Sequence, residues 1–599
     1  MDNEVYTPGP WDNEVYTPGR VNNRERGAPR APPFEQPLQT GGINLSRNEN
    51  TRFALNPTNL DIARSTFRRD HSVKLSFNVG DVIPFYVDEV LPGDTFQLKT
   101  SMVARLQTLL TPMMDNLYLD TYFYFVPNRI VWQHWRELMG ENTQSAWIPK
   151  TEYSVPQVTA PEGGWSIGSI ADYMGIPTGI ANLSVNALPF RAYALIMNEW
   201  FRDENLSDPL NIPVDDATLA GSNGTNYITD VVKGGMPFKA AKFHDYFTSA
   251  LPAPQKGPDV TIPVSSGANL PVVPLAQDVP SPGTQYLKMV NQNANSISSG
   301  TNLAVYLNSG SDERHIMSTS GSVPDGPYQP FIPSNLWAID DGSVSAATIN
   351  QLRMAFQIQK LYEKDARGGT RYIEILKSHF GVTSPDARLQ RPEYLGGNRI
   401  PVNINQVVQN SATQAEGTPL GDTAAFSVTT DVHGDFIKSF VEHGFVIGIM
   451  VARYDHTYQQ GLERFWSRRD RLDYYFPVFA NIGEQPILNK EIYAQGTAQD
   501  NEVFGYQEAW ADYRYKPSRV AGEMRSKAPA SLDVWHLADE YTTLPKLSDA
   551  WIREDKTNVD RVLAVTSSVS NQMFADLYIQ CKATRPMPMY SIPGLIDHH

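Results

Sequence analysis

Apolar and polar residues alternate most regularly near the start of the chain, between residues 71 and 126. In His71–Gly80 every second residue is apolar, which is the period of a half-buried strand. The alternation continues through Asp81–Val90 and resumes after Pro92-Gly93-Asp94, whose composition favours a turn. Leu117–Val126 carries aromatic residues on both faces and predicts another strand. The chain therefore opens with antiparallel β-structure rather than with alternating strands and helices.

The second half of the chain returns to β patterning after residue 400. Gly444–Ala452 is apolar on both faces, as expected of a strand that is covered on both sides. Phe574–Thr584 alternates cleanly, with Cys581 on its apolar side. Lys239–Phe247 predicts a short ordered segment between two regions rich in Pro, Gly, Ser and Asn.

Helical patterns are few and short. Residues 191–203 have a broad apolar face, and glycines mark the ends of the other predicted helices. The predicted helices are Arg129–Met139 with Asn128 as its cap and Gly140 as its end, Arg191–Asp203, Ser345–Asp365 and Arg371–Phe380.

This layout predicts a mainly β fold, an eight-stranded antiparallel jelly roll with long loop insertions that contain a few helices. The predicted organisation is a flexible arm (1–50), the first jelly-roll strands and a short helix (51–140), an insertion with a helix near 191–203 (141–235), a jelly-roll strand (236–254), a surface protrusion (255–345), and helices followed by the remaining strands and a C-terminal segment (346–599).

The N-terminal arm contains a direct repeat, because DNEVYTPG occurs at Asp2–Gly9 and again at Asp12–Gly19. Two copies are too few for a solenoid, so the repeat is either a duplicated flexible segment or a docking peptide for two equivalent sites. The net charge of the 599-residue chain is −15, which argues against nucleic-acid binding over the whole surface. Between Arg20 and Asp70, however, nine arginines stand against five acidic residues. The arm is therefore locally basic.

Cysteine usage and hydropathy exclude several classes of protein. Cys581 is the single cysteine, so an internal disulfide or a multi-cysteine zinc site is impossible, and assembly in a reducing cytosol is expected. Its place in an alternating strand predicts a small core residue rather than a reactive thiol. No apolar run reaches membrane-spanning length, and no secretory signal is recognisable.

A search for catalytic or metal-binding motifs predicts no enzyme activity, no metal site and no cofactor. His244-Asp245 and Asp455-His456 are adjacent acid–imidazole pairs, but neighbours on a strand point to opposite faces. The His598-His599 pair has only Asp597 beside it and is better explained as a frayed chain end.

The segment Glu463–Arg471 (ERFWSRRDR) is the one chemically suggestive cluster. Guanidinium groups pair with phosphates and aromatic rings stack on unpaired bases, so this composition fits a contact with single-stranded DNA. The alternative is a structural ion-pair network with Glu463, Asp470 and Asp473 around a buried tryptophan. The candidate DNA-contacting residues of the cluster are Arg464, Trp466, Arg468, Arg469 and Arg471.

Several segments resemble the major capsid proteins of microviruses, small phages with single-stranded DNA, and most closely those of the gokushovirus branch. The similar segments are Ile83–Thr95 (IPFYVDEVLPGDT), Met114–Trp132 (MDNLYLDTYFYFVPNRIVW), Phe465–Arg469 with Asp473–Tyr475, Ile482–Gln485, Arg585–Pro588 and Ile592–Leu595.

The resemblance implies that the jelly roll is of the viral capsid type. It also implies a virion protein that assembles with copies of itself, in the bacterial cytoplasm, into a small T=1 icosahedral shell around a circular single-stranded DNA genome. It implies minor virion and scaffolding proteins as helpers, a host cell-surface receptor, and no membrane insertion. Interior DNA contacts are then expected from Arg24, Arg26 and Arg30 of the arm and from the 463–471 cluster. Residues 255–345 are expected to project outward and meet the host, the alternative being a disordered loop with no partner.

A second function class is a secreted β-sandwich protein that binds or cleaves carbohydrate. Its long loops and many Tyr and Trp residues would line a sugar cleft. This class would require a secretion signal, and cleavage would require paired carboxylates, neither of which is found. Particle size separates the two classes, because a capsid subunit forms megadalton shells.

Overall fold

The computed structural model describes residues 63–141, 151–258, 260, 349–369, 371–383, 389–411 and 419–590, together with six short strands between residues 272 and 338. Strands dominate these residues. In chain order the strands are β1 (Ser65–Arg68), β2 (His71–Phe77), β3 (Asp81–Val90), β4 (Thr95–Leu106), β5 (Leu117–Pro127), β6 (Gln157–Thr159), β7 (Ser184–Asn186), β8 (Leu219–Ala220), β9 (Phe238–Lys239), β10 (Val272–Pro274), β11 (Met289–Asn291), β12 (Leu303–Leu307), β13 (Arg314–Ser318), β14 (Phe331–Pro333), β15 (Leu336–Ala338), β16 (Glu393–Pro401), β17 (Ile404–Val408), β18 (Thr423–Ser427), β19 (Thr429–Ser439), β20 (Gly444–Tyr454), β21 (Glu484–Leu488), β22 (Val503–Glu508) and β23 (Met573–Arg585).

Helices are short except in the segment that follows residue 348. They are α1 (Asn128–Val131), α2 (Trp135–Leu138), α3 (Ile170–Tyr173), α4 (Leu188–Ile196), α5 (Ile349–Gly368), α6 (Tyr372–Phe380), α7 (Asn489–Ile492), α8 (Asp549–Ile552) and α9 (Thr557–Asp560). A π-helical turn, Met197–Phe201, continues α4.

Two five-stranded antiparallel sheets form the centre of the fold. Sheet one has the order β1-β23-β4-β19, and β2 also pairs with β23. Sheet two has the order β16-β5-β20-β3-β9. The smaller sheets are two-stranded and antiparallel, apart from β7-β6-β8, in which β6 and β8 are parallel. The predicted mainly β class is therefore confirmed.

The two large sheets pack face to face around one apolar core. Leu98 of β4 and Leu577 of β23 contribute from sheet one, and Phe85 and Phe123 contribute from sheet two. Alternate residues of β4 and β23 point into this core, as the period-2 patterns predict. Cys581 is fully buried in β23, in agreement with its predicted place in the core.

A second core covers the other face of sheet two. Trp165, Phe190 and Tyr193, from the segment 151–240, pack there with Val451 of β20. Almost every residue of β20 is therefore buried, which explains why its sequence is apolar on both faces. The side chain of Arg191 is also fully buried and donates to the backbone carbonyls of Val131, Asp215 and Ala217.

The predicted helix 129–139 is wrong in extent. It is divided into α1 and α2, and Asn128 lies inside α1 without capping it. The helix breaks because Trp132 turns into the core and its indole N–H donates to Asp216 at 2.7 Å, while the N–H of Gln133 donates to the carbonyl of Val214. Satisfying these buried groups outweighs one more turn of helix.

The other predicted helices are found with shifted ends. α4 begins at Leu188, three residues before the predicted start at Arg191, because Pro189 suits the first helical turn. α5 ends at Gly368 and α6 at Phe380, where Gly381 adopts a left-handed conformation as predicted. Ser345, the predicted cap of α5, lies outside the described residues.

Candidate nucleic-acid interface

The arginine cluster lies on three short 3-10 turns that follow β20, namely Arg464–Ser467, Arg471–Asp473 and Pro477–Phe479. The carboxylate of Asp473 holds the first two turns together, because it accepts the backbone N–H groups of Arg469 and Asp470 at 2.8 and 2.9 Å. These two hydrogen bonds lower the pKa of Asp473. The guanidinium groups are thus presented from a compact, internally bonded segment.

Two of the four arginines are engaged within the protein. Arg464 donates to the carbonyl of Pro486 at 2.8 Å and lies 3.5 Å from the buried carboxylate of Glu491. Burial raises the pKa of Glu491, and the charge of Arg464 opposes that rise. Arg468 forms an ion pair with Asp512 and lies 4.3 Å from the centre of the Tyr513 ring.

The other members of the cluster are exposed. Arg469 and Arg471 point to solvent, and Arg471 lies 5.4 Å from the ring centre of Phe476. Trp466 is 66% exposed, with its ring 4.8 Å from that of Phe465. This arrangement offers two charged groups and two aromatic faces to a ligand, which is the composition used to bind single strands.

The structural alternative proposed from the sequence is correct only in part. Ion pairs do form, but the partners of Arg464 and Arg468 are Glu491 and Asp512, whereas Glu463 pairs with Lys516. The tryptophan of that alternative is not buried. Glu491 and Asp512 were not predicted from the sequence, because only the tertiary fold places them beside the cluster and neither belongs to a recognisable local motif.

A cavity of about 220 Å³ adjoins the cluster. Arg464, Phe465 and Trp466 line it, together with other residues that include Tyr246 and Arg519. The remaining predicted contacts, Arg24, Arg26 and Arg30, lie outside the described residues. The structure therefore brings together the predicted residues of the cluster but does not test their association with the arm.

A second group of charges, which sequence reasoning did not find, surrounds His456. Its Nδ1 lies 2.9 Å from Asp539 and its Nε2 lies 3.0 Å from Glu554, and all three side chains are almost completely buried. Lys242 approaches Asp539 at 3.4 Å. Asp455, its neighbour in the sequence, is exposed and is not part of this group.

Charge balance explains how this buried group is tolerated. Burial alone would lower the pKa of His456, but the two carboxylates outweigh it and raise the pKa to about 9. Burial would raise the pKa of Asp539, but His456 and Lys242 hold it well below its usual range. Two cations therefore face two anions, and they join the end of β20 to the segments around residues 242, 539 and 554.

Neither a metal centre nor a membrane span is found within the described ranges. No group of three or more His, Cys, Asp or Glu side chains is arranged there to hold a metal ion. No helix among those residues combines the length and the apolarity that crossing a bilayer requires.

Comparison with known proteins identifies the family. The model of the family described as capsid protein (F protein) matches residues 57–595. The chain belongs to this phage capsid family. It is 44% identical to capsid protein VP1 of Spiroplasma virus 4 over 537 residues, which cover 89% of this chain and 96% of that protein. It is also 44% identical over 551 residues to capsid protein VP1 of Bdellovibrio phage phiMH2K, covering 92% and 98% of the two chains.

A third relative supports the same assignment. Capsid protein VP1 of Chlamydia phage 1 is 42% identical over 588 residues, which cover 91% of this chain and 97% of that protein. The resemblance to gokushovirus-like microvirus capsid proteins is therefore confirmed. As a member of this capsid family the chain is a structural component of a phage virion and not an enzyme.

Proposed function

We propose that this chain is the shell-forming subunit of a small T=1 icosahedral capsid that encloses a circular single-stranded DNA genome. Its membership in the phage capsid family, with similarity along nearly the whole chain, is the observation that carries the proposal. The relatives named above are capsid proteins, which leaves the carbohydrate-binding alternative without support. Assembly in the host cytoplasm, with minor virion and scaffolding proteins as helpers, belongs to the same proposal.

We further propose that the eight long strands form a jelly roll. Numbered along the chain, they are β2, β3, β4, β5, β16, β19, β20 and β23. Sheet one then has the order 1-8-3-6 and sheet two the order 5-4-7-2. Successive strands alternate between the sheets except where residues 128–392 join β5 to β16, and such alternation is typical of two interlocked Greek keys.

Electron microscopy of the assembled protein tests this function. We expect the full-length chain, produced in a bacterial cytoplasm with its phage helper proteins, to form closed shells of uniform diameter. A reconstruction of those shells should show the eight strands in the order given above. A protein that stays monomeric when concentrated with helpers and single-stranded DNA would contradict the proposal.

We propose that the basic arm and the arginine cluster face the interior and contact DNA through phosphates. Arg24, Arg26 and Arg30 would act from the arm. In the cluster, Arg469, Arg471 and Trp466 are exposed and available, whereas Arg464 and Arg468 would contribute while remaining paired to carboxylates. Such contacts tolerate any sequence and weaken as salt rises.

Charge reversal of the two exposed arginines separates DNA binding from structure. We expect Arg469→Glu with Arg471→Glu to give intact shells with clearly less packaged DNA, because neither side chain has an ion pair in the described part of the fold. The ratio of absorbance at 260 and 280 nm of purified shells, together with micrographs, measures the effect. Normal packaging by this variant, with reduced shell yield, would assign the cluster to contacts between subunits.

We propose that residues 255–345 form an outward projection used in host attachment. Their described strands pair in a nested series, β12 with β13, β11 with β14, and β10 with β15. Nested antiparallel pairs extend a segment away from its two ends, which suits a projection better than a structureless loop.

Deletion of the projection tests its role. We expect a phage whose residues 260–340 are replaced by a short Gly-Ser linker to form shells, because the two large sheets lie outside this segment, but to lose adsorption to its host. Adsorption is measured from the free phage that remains after mixing with cells. Full infectivity of the deleted phage would rule out the attachment role.

A further inference from the structure

The outward face of sheet one is basic over β2, β4 and β23, which is unusual in an acidic protein. Four cations, Lys74, Lys99, Arg105 and Lys582, occupy alternate, solvent-exposed positions of β2, β4 and β23. The single carboxylate on these three strands' outward faces, among the described residues, is Asp576, which lies 3.2 Å from Lys74. The whole chain, in contrast, carries a net charge of −15.

Three of these four cations differ from Arg464 and Arg468 of the 463–471 cluster, because no ion pair engages them within the described part of the chain. No carboxylate of the described chain lies within 4.0 Å of Lys99, Arg105 or Lys582. Arg464 and Arg468, in contrast, are already balanced by Glu491 and Asp512. Unbalanced cations on one face attract an anionic ligand without first breaking an internal ion pair.

Two aromatic side chains lie among the cations. Phe574 and Tyr578 point outward from β23 and are 40% and 42% exposed. Phe574 is directly opposite Arg105 of β4, and Tyr578 is opposite Ser101, two residues from Lys99. Directly opposed and diagonal positions on one face lie within about 5 to 8 Å of each other, so the rings and charges are close neighbours.

We propose that this outward face of sheet one binds single-stranded nucleic acid, with the cations on phosphates and the two rings stacked on unpaired bases. The proposal rests on the packaging of single-stranded DNA proposed above and assigns it a site on the sheet. An open sheet with exposed aromatic residues is a known platform for splayed bases. A protein partner fits less well, because the cores of protein interfaces are depleted of lysine.

The basic sequence that precedes β2 also supports a DNA-binding site on this face. The basic segment between Arg20 and Asp70 contains β1 near its C-terminal end, and Arg68 of β1 is paired in register with Lys582 of β23. The arm that is proposed to contact DNA is therefore continuous along the chain with the edge of this basic face.

Fluorescence anisotropy of the purified subunit with a labelled oligothymidine tests the proposal. We expect Lys99→Glu, Arg105→Glu and Lys582→Glu together to weaken binding at least about tenfold and to flatten the salt dependence, since each lost phosphate contact removes about 0.7 from the logarithmic slope for single strands. Phe574→Ala with Tyr578→Ala should weaken binding without changing that slope. A duplex of the same length should bind more weakly than the single strand.

A matched control variant has the same change in net charge, introduced at positions outside sheet one. Lys360→Glu, Lys364→Glu and Lys546→Glu alter three exposed lysines away from sheet one and should bind like the wild type. Lys99→Gln, Arg105→Gln and Lys582→Gln provide a milder version if charge reversal disturbs folding. Equal binding by the sheet variants and the wild type, or an equal loss in the control, would overturn the proposal.

Shell formation distinguishes failure of this site from failure of the capsid function. Under the proposal, the sheet variant forms shells that contain less DNA than wild-type shells. If shells of the sheet variant contain as much DNA as wild-type shells, the proposed site is refuted, whereas the capsid function is not. A sheet variant that folds but forms no shells would instead make this face a subunit contact and overturn the proposal.

Discussion

Replacement of His456 by alanine is expected to lower the free energy of unfolding of the subunit by about 3–5 kcal/mol, the usual cost of removing one partner from a buried ion pair. The imidazole is hydrogen-bonded on both sides, to Asp539 and to Glu554, and is 1% exposed. Without it, Lys242 is the one cation among the described residues within 4.0 Å of either buried carboxylate. Chemical denaturation of the unassembled subunit, followed by tryptophan fluorescence, measures the loss.

The loss of unfolding free energy in His456→Ala should depend on pH, and the raised pKa of His456 determines the direction of this dependence. The pKa is about 9 in the folded protein and about 6.5 in an unfolded chain, so the charged imidazole contributes fully below pH 6.5. That contribution is lost as the pH rises through 9, because the folded protein then releases the proton. The lowered pKa of Asp539 acts oppositely, since its stabilisation is present above about pH 4 and disappears on acidification.

Two control variants show whether the charge is responsible. His71→Ala removes an exposed imidazole of β2, which contacts the carbonyl of Arg69 and the ring of Tyr86, and should lower the free energy of unfolding by no more than about 1 kcal/mol. His456→Gln keeps a hydrogen-bonding group but not the charge. The difference in free energy of unfolding between this variant and the wild type should decrease between pH 6.5 and pH 9, because the wild type loses its charged imidazole over that range. A His456→Ala variant as stable as the His71→Ala variant would show that the buried group is not stabilising.

The long strands could be predicted from the sequence because each has a simple local pattern of apolar and polar residues. In β23 alternate residues are buried, and the same alternation is visible from Phe574 to Thr584. β20 is apolar on both faces because two cores cover it. The helix break at Trp132 was not accessible, since it depends on Val214 and Asp216, which are distant in sequence. Local pattern identifies an element, whereas tertiary contacts decide where it ends.

For the candidate site too, the local sequence predicted some features and the tertiary fold determined the others. The composition of residues 463–471 marked a cluster of charge and aromatic rings, which the structure places on two successive 3-10 turns and their connection. Which arginines are balanced depends on Glu491 and Asp512, and no spacing rule connects them to the cluster. His456 was discounted together with its sequence neighbour Asp455, although its partners lie 83 and 98 residues further along the chain. Buried polar networks are assembled by topology, so single-sequence reasoning misses them.

Introduction of charge into the apolar surface around residue 475 is expected to prevent shell assembly. We define the 466–482 surface by its exposed apolar side chains, Trp466, Leu472, Tyr475, Val478 and Ile482, of which Leu472 is 70% and Val478 85% exposed. A group of apolar side chains this exposed on one short segment indicates a surface that is covered in the assembled state. In a shell, the candidate for covering it is a neighbouring copy of the chain.

The double variant Leu472→Asp, Val478→Asp should fold normally, because both side chains are exposed and few internal contacts are lost. Its shell yield should fall at least about tenfold, since burying each carboxylate in an interface costs more than the 1.4 kcal/mol that corresponds to tenfold. Size-exclusion chromatography and electron microscopy measure the distribution between subunits and shells. Val569→Asp, at a single exposed valine among polar neighbours, is the control and should assemble.

The composition of the shells decides between the two ligands that this surface could meet. Loss of shells by the double variant, with packaging unchanged in the few that form, assigns the 466–482 surface to a subunit contact. Shells in normal yield that lack DNA would instead place the surface against the genome, where aromatic rings stack on bases and added carboxylates repel phosphates. Normal shells with normal DNA content would contradict both assignments. Because Arg469 and Arg471 lie on the same segment, comparison with their charge-reversed variant shows whether charge or apolar contact dominates there.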